Sequence, residues 1–556
     1  MPSILLRFFV GLCLLLLCPA AALLAQDNPP NLEDNSVTVV TNFEARLTDA
    51  ERVLVNPVPP PADTVSRRQT YTILPRPLEI EYPAPTIRPR AVQRTQPEPI
   101  KNGYAKIGLG LPNALYGDLS YDLTGQDNLD LGLFANHYSF NNDKKVENQR
   151  ASDTKIGARG NYLFEQGFAV KGGLSYDTRS RYYYGYNFPE VARDSTEEPL
   201  TFDPDDVRQR FNTFALDAQI YNGTRTEGDI DYRAGIALYL MDANPSVRET
   251  GFDITVGGTK WINGTNPLDV EFRADFTSFK DTSSQNLNVF SLSPSYTVLV
   301  ADFIKLKAGV RLVGQEDDFD VFPNVTASAV IVDGLLSAFA GVEGNVVKNT
   351  LRSLSDYNPW INTRLRVRNS EATRFYGGVE GTFRRIAYRA EAGYKYLDNL
   401  ALYVTQRDGD DIPMFDVLYD DGSQVYLQAT ATLPLVENLD LSGTFVQRFY
   451  SMEDEAKPYH LPSLSLNAAG IYTLPTLPLQ LRADLFIENG LPYQTAEGGT
   501  DHLNALLDLS LSAEYTITDA FGAWVRVNNL LNNKRERFFQ YPTIGTNFMV
   551  GATASF

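Results

Sequence analysis

The chain has 556 residues, 43% of them hydrophobic and 21% charged, with a formal net charge of −19 at pH 7. That acidity repels phosphodiester backbones and excludes nucleic acid as a partner. Its two cysteines, Cys13 and Cys18, both fall within the first 25 residues, so the remainder can build neither a disulfide framework nor a thiolate metal site.

Residues 1–25 read as a secretory leader. Arg7 precedes the apolar run Phe8–Leu17, and Ala20, Ala21, Ala22 and Ala25 supply small residues for cleavage after Ala22 or Ala25. Leu17 before Cys18 does not suit a lipoprotein anchor. Beyond the leader no window reaches the roughly 18 uninterrupted apolar residues that a membrane helix needs. If the exported chain enters a bilayer it must do so as a closed sheet, the other structure that satisfies every backbone group in hydrocarbon.

Residues 26–102 differ in texture from all that follows. Prolines cluster at Pro57, Pro59, Pro60 and Pro61, then at Pro75, Pro77, Pro83, Pro85 and Pro89. Proline has no amide hydrogen to give a sheet, so this segment reads as extended and largely unpaired. Its second half carries Arg67, Arg68, Arg76, Arg88, Arg90 and Arg94 against Glu79, Glu81 and Glu98, a local basic excess in an acidic chain.

From residue 103 to residue 556 the pattern is alternation. Leu268, Val270, Phe272, Ala274 and Phe276 alternate with Asp269, Glu271, Arg273, Asp275 and Thr277; Leu507, Leu509, Leu511, Ala513 and Tyr515 alternate with Asp508, Ser510, Ser512, Glu514 and Thr516. A period of two marks strands with one greasy and one wet face. In a soluble sandwich a second sheet covers the greasy face, whereas in a membrane barrel that face meets lipid and the charged face lines a wet lumen. The connections separate these readings. Segmentation yields about 22 strands, from 103–111 and 114–124, through 167–186 and 386–406, to 520–532 and 546–556. Every second connection is tight, as at Glu165–Gln166, Asp333–Gly334 and Thr518–Asp519. The long ones, Asn142–Arg150, Asn187–Val207, Lys348–Glu371, Arg407–Gly422, Met452–His460, Tyr493–His502 and Asn533–Gly545, all fall in the alternate set, although some of its members, such as Thr282–Ser284, are short. Short turns on one rim and long loops on the other are the mark of an all-β, antiparallel transmembrane barrel. Lys348–Glu371 has room for a further strand. Tyr182, Tyr183, Tyr184 and Tyr186, beside a long loop, fit an interfacial aromatic girdle.

The chain ends on a strand. Phe548, Val550, Ala552, Ala554 and Phe556 share one face, and a strand with no tail leaves an open edge that a barrel closes by pairing it with the first strand. This ending, with Phe548, Val550 and Phe556 as its apolar marks, resembles the signal by which bacterial outer-membrane barrels are read by the barrel assembly machinery.

Beyond about Asn358 the chain resembles the C-terminal part of a TonB-dependent receptor, especially of the Bacteroidetes type. The resemblance rests on Asn358-Pro359-Trp360, Tyr419-Asp420-Asp421-Gly422, Tyr459-His460-Leu461-Pro462, and above all Val527-Asn528-Asn529-Leu530-Leu531-Asn532 followed by Tyr541-Pro542-Thr543-Ile544-Gly545. It implies an outer-membrane barrel in a Gram-negative bacterium, in contact with outer-membrane lipid, and a transport role. The departure is the missing plug domain: residues 26–102 are too short and too poor in core pattern to form one. Ser36-Val37-Thr38-Val39-Val40 resembles the box through which such receptors engage TonB by strand addition; its other reading is a β-prone pentapeptide in a tail.

No chemistry of an enzyme emerges. His137, His460 and His502 stand far apart, the chain has no phosphate-binding glycine loop or nucleophile elbow, and the acidic loops with Glu197, Glu198, Asp203, Asp205 and Asp206, and with Asp408, Asp410 and Asp411, lack calcium-loop spacing. No catalytic residue, cofactor or metal is expected. The leading reading is a barrel for substrate binding or transport, like a plugless TonB-dependent receptor. The alternatives are a scaffold subunit of an outer-membrane assembly or secretion complex, its lumen filled by a partner, and a passive porin. Since a wide barrel leaves a lumen that wall side chains do not fill, the segment Arg67–Arg94 is expected to lie against lumen acids such as Asp440, Asp484, Asp508 and Glu514.

Overall fold

The computed structural model describes residues 101–556, apart from 127, 191–199, 225, 227, 245, 317, 407–411 and 437. Its core is one closed antiparallel ring of 22 strands. In chain order these are β1 (Gly103–Leu111), β2 (Ala114–Gln126), β3 (Leu129–Asn141), β4 (Arg150–Leu163), β5 (Phe168–Tyr182), β6 (Arg208–Asn222), β7 (Ile230–Ala243), β8 (Val247–Ile262), β9 (Asn266–Lys280), β10 (Ser284–Ala301) and β11 (Ile304–Gln315). The second half continues with β12 (Asp318–Val332), β13 (Leu336–Asn349), β14 (Arg368–Phe383), β15 (Ile386–Thr405), β16 (Phe415–Val436), β17 (Leu439–Met452), β18 (Leu464–Thr473), β19 (Leu479–Asn489), β20 (Leu506–Thr516), β21 (Phe521–Asn528) and β22 (Asn547–Ser555). Each wall strand pairs with the next in the chain, and β22 pairs with β1 from Tyr104 opposite Ser555 to Leu111 opposite Phe548.

The alternation resolves into two faces. Ile156, Leu174, Phe214, Ile236, Val256, Phe272, Leu292 and Val310, one on each strand from β4 to β11, point outward and are 38% to 49% exposed. Phe548, Val550 and Phe556 lie on the same outer surface. A soluble monomer does not leave a continuous apolar belt uncovered, so this belt is the lipid-facing surface. At its lower edge, beside the short turns, exposed Tyr121, Tyr162, Tyr232, Tyr515, Phe303, Phe383 and Phe521 form an aromatic girdle.

Several sequence expectations need correction. Tyr183, Tyr184 and Tyr186 are no girdle: β5 ends at Tyr182, and these rings are buried in a core built by loops. Lys348–Glu371 contains no extra strand between β13 and β14; it holds a short helix, α1 (Leu351–Tyr357), started by the Thr350–Ser353 capping box. The loop expected at Arg407–Gly422 is shorter, because β16 begins at Phe415. Within that strand the Asp420 carboxylate accepts the amides of Asp454 (3.2 Å) and Glu455 (2.9 Å) and so ties down the next loop. Likewise β21 ends at Asn528, before the turn that had been counted as strand.

Closure is reinforced from inside. Trp524 of β21 reaches across β22 to donate its indole hydrogen to the Ile107 carbonyl of β1 at 3.1 Å, and Tyr116 of β2 meets the ring edge-on at 5.6 Å. The Lys106 ammonium of β1 lies 4.9 Å from the Trp524 ring centroid and pairs at 2.7 Å with Glu514 of β20. The indole fits because residues 108 and 551 are glycines: a Cβ on Gly551 would stand 1.9 Å from the Ile107 oxygen and 2.6 Å from the indole nitrogen. Replacing Trp524 by Ala is expected to cost about 3 kcal/mol, and Gly551→Val to prevent closure. Heat-modifiability on detergent gels checks both; a compact, heat-modifiable Gly551→Val barrel would show that the seam tolerates a side chain.

Candidate functional site: the capped mouth and the lumen

The long connections all emerge on one rim and fold together over the mouth. Loop 350–367 descends along the inner wall, where Ile361, Leu365 and Val367 pack with Phe211, Met241, Val247, Phe279 and Leu287 at the upper ends of β6–β10. Its anchor is Glu249 of β8, fully buried, whose carboxylate accepts the first helix amides, Leu351 at 2.6 Å and Arg352 at 3.1 Å, and the Tyr239 hydroxyl at 2.9 Å. A carboxylate there meets otherwise unpaired amides and the positive end of the helix.

Above this anchor Trp360 stacks on Tyr541 at 4.4 Å between centroids, with Phe538 and Tyr184 edge-on at 5.8 and 5.9 Å. Its indole donates to the Tyr182 carbonyl at 3.1 Å, and the Tyr541 hydroxyl donates to the Pro413 carbonyl. Rings from the connections after β5, β13 and β21 thus share one core. Burial raises the pKa values of the Tyr184 and Tyr541 phenols, so both remain neutral donors. Arg537 pairs with Glu488 at 2.8 Å while its guanidinium lies 4.9 Å from the Tyr357 ring centroid.

His460 fastens the connection after β17 to the one after β21. It is 1% exposed. Its Nδ1 faces the Tyr403 carbonyl at 2.8 Å and its Nε2 faces the Phe539 amide at 3.2 Å. A carbonyl only accepts and an amide only donates, so the ring is neutral with its hydrogen on Nδ1. Burial lowers its pKa to about 4. The backbone at His460 is left-handed, φ 59°, which costs a non-glycine residue on the order of 1 kcal/mol.

The residues singled out from sequence are distributed unevenly. His137 lies near the upper end of β3, bonded to Thr154 at 2.7 Å and Ser139 at 3.0 Å, and His502 is exposed in the hairpin of Leu491–Gln494 with Thr500–Leu503. The three histidines therefore do not converge. Asp484, Asp508 and Glu514 do, in a lumen cavity of about 710 Å³ that also presents Lys106, Arg482 and Arg526; Asp440 is not among its walls. Ser36–Val40 and the arginines from Arg67 to Arg94 lie outside the described residues, as do Glu197, Glu198, Asp408, Asp410 and Asp411. Asp205 of the remaining acidic loop pairs with Arg208 at 3.0 Å. Glu249 was missed, since one acid in an alternating strand has no sequence signature; His460 was noted as one of three separated histidines, and its role as a link between loops had no sequence signal.

The wet face is stitched by ion pairs, Arg482 on Asp484 at 2.7 Å within that lumen cavity, and elsewhere Arg233 on Glu271 at 2.6 Å and Lys348 on Asp275 at 2.5 Å.

No family model matches the chain, and no curated protein matches it. Solved structures do. The ferric-catecholate import receptor Fiu of E. coli, in its closed form, superposes with a TM-score of 0.62 at 10% identity over 83% of this chain and 82% of its own. The ferripyoverdine receptor of the Pseudomonas aeruginosa outer membrane gives 0.60 at 13% identity over 83% and 73%. The siderophore receptor PirA of Acinetobacter baumannii gives 0.60 at 10% identity over 82% and 80%. The chain has the barrel fold of outer-membrane siderophore receptors. At these identities the likeness is one of fold.

The His460 arrangement predicts acid sensitivity. Its imidazole titrates near 6.5 when unfolded and at about 4 when folded. Between those values the unfolded state binds the extra proton, so stability falls as pH drops from 6.5 toward 4, by about 3 kcal/mol over the window. Thermal midpoints measured across that range should fall in the natural protein, whereas His460→Asn, which tolerates the left-handed backbone, should lose most of the slope. An unchanged slope in the variant would discount His460.

Proposed function

We propose that this protein is an outer-membrane barrel that binds a solute at its outer face and passes it through the lumen, in the manner suggested by the receptors it resembles in fold. The observation that supports this most is the combination of a charge-lined inner wall with a mouth covered by packed aromatic loops. A passive pore has no use for a core in which Phe211, Phe279, Ile361 and Phe415 are wholly buried. A cap of that kind suits a path that opens on engagement.

In planar bilayers the intact protein should insert with little steady conductance, and Trp360→Ala combined with Tyr541→Ala should produce large open steps by dissolving the stacked pair. Large steady conductance from the intact protein would support the porin reading instead. Purification in mild detergent tests the scaffold reading, which requires a stoichiometric partner in the outer membrane; a lone barrel whose melting shifts with added solute favours transport.

A further inference from the structure

On the lumen wall from β14 to β17, cations outnumber the carboxylates that meet them. Arg374 stands opposite Lys395, Lys395 opposite Gln424, and Gln424 opposite Tyr450, so these four form one row across adjacent strands. Two positions along β17, Arg448 stands opposite Tyr426 on the same face. Like charges directly opposite each other repel.

The nearby acids are already engaged. Glu343 accepts from Arg374 at 2.6 Å. Glu391 accepts from the Tyr426 hydroxyl at 2.6 Å and from Arg389 at 2.8 Å, with Arg374 at 3.4 Å. Among the described residues Lys395 has no carboxylate in ion-pair range; its ammonium lies 4.8 Å from the Tyr426 ring centroid. That ring is held flat over Gly393, where a Cβ would come within 2.5 Å of it. Among the described residues Arg448 likewise meets neutral acceptors alone, the Ser465 hydroxyl at 3.0 Å and the Pro462 carbonyl at 3.4 Å. Pro462 belongs to the same cap loop as His460. Between the two cations Gln424, 5% exposed, keeps a buried side-chain oxygen that no donor among the described residues meets. An amide can turn either end toward a ligand.

We infer that Lys395, Arg448 and Gln424 form an anion-binding site just beneath the cap, which receives a carboxylate or phosphate group of the solute. The inference rests on the proposed solute path and names the chemical class that path selects. Arg448 supplies planar paired donors and Lys395 a point charge, and together with Arg374 they stabilise negative charge at one spot on the wall. Facing the lumen, the site meets soluble anions and not lipid headgroups.

Calorimetric titration of the full chain in non-ionic detergent tests it, with citrate and inorganic phosphate as probes and glucose as the neutral control. Citrate or phosphate should bind, and Lys395→Gln or Arg448→Gln should each weaken binding at least tenfold, with circular dichroism unchanged. Arg159→Gln, at an exposed arginine elsewhere on the wall, should bind as the natural protein does. Equal binding in all variants, or no binding of either anion beyond that of glucose, overturns the site. Because the titration needs no transport, bound anion without uptake into liposomes would sink the transport reading and spare the site. Uptake of neutral solutes without anion binding would do the reverse.

Discussion

Hydrocarbon offers no hydrogen-bond partner, and this one constraint governs the structure. Every amide of a spanning segment must be satisfied within the protein, which for strands means a ring with no free edge. The last strand must therefore find the first, although Gly103 and Phe556 lie at opposite ends of the described chain; their backbones exchange bonds of 2.7 and 2.9 Å. Pairing alone is local to two strands. Trp524 and the Lys106–Glu514 pair spread the load across β20, β21, β22, β1 and β2. The greasiness of the outer face then follows from the solvent it meets.

A ring this large imposes a second condition. Wall side chains cannot fill the interior, so the inner face stays wet and polar, and its charges need partners or water. Arg482 pairs with Asp484 two residues along its own strand, Arg233 of β7 reaches Glu271 of β9, and Lys348 of β13 reaches Asp275 of β9. The outer end is treated differently. There the inner wall turns apolar, at Phe211, Met241, Val247, Phe279 and Leu287, and the loops fold inward to cover it. The cap is thus a small globular core in its own right, with a buried carboxylate under a helix start and a neutral histidine across two loops.

Much of this was legible in the sequence because period-two alternation is a strong signal over long strands. The expected strand 103–111 coincides with β1, and the sorting of short and long connections distinguishes the two rims. What failed has physical reasons. The tyrosines after β5 were assigned to the lipid interface because composition cannot distinguish a ring facing lipid from one facing a loop core. The loop Arg407–Gly422 proves shorter because β16 starts at Phe415, paired with Thr405 of β15, and the Asp420 carboxylate is taken up by amides of the next loop. The motifs that carried the resemblance, Asn358-Pro359-Trp360, Tyr459-His460 and Tyr541-Pro542, are distant in the chain yet meet in the cap. Their meaning is a shared three-dimensional core, which one sequence does not display.

The cationic row on β14–β17 raises the question of how the fold tolerates it. Two unit charges about 5 Å apart repel by roughly 1 kcal/mol in water but by about 3 kcal/mol where the effective dielectric is near 20. The wall keeps the cost low by water access from the lumen and by the electron-rich face of Tyr426 against Lys395. Screening by water is lost when a solute displaces it, unless the solute carries the opposite charge. A neutral solute entering there would strip hydration from Lys395 and Arg448 with no return, whereas an anion replaces what it removes. The same arrangement therefore excludes one class of solute and holds another, and it does so from paired wall strands, beneath the cap loop that supplies the Pro462 carbonyl to Arg448.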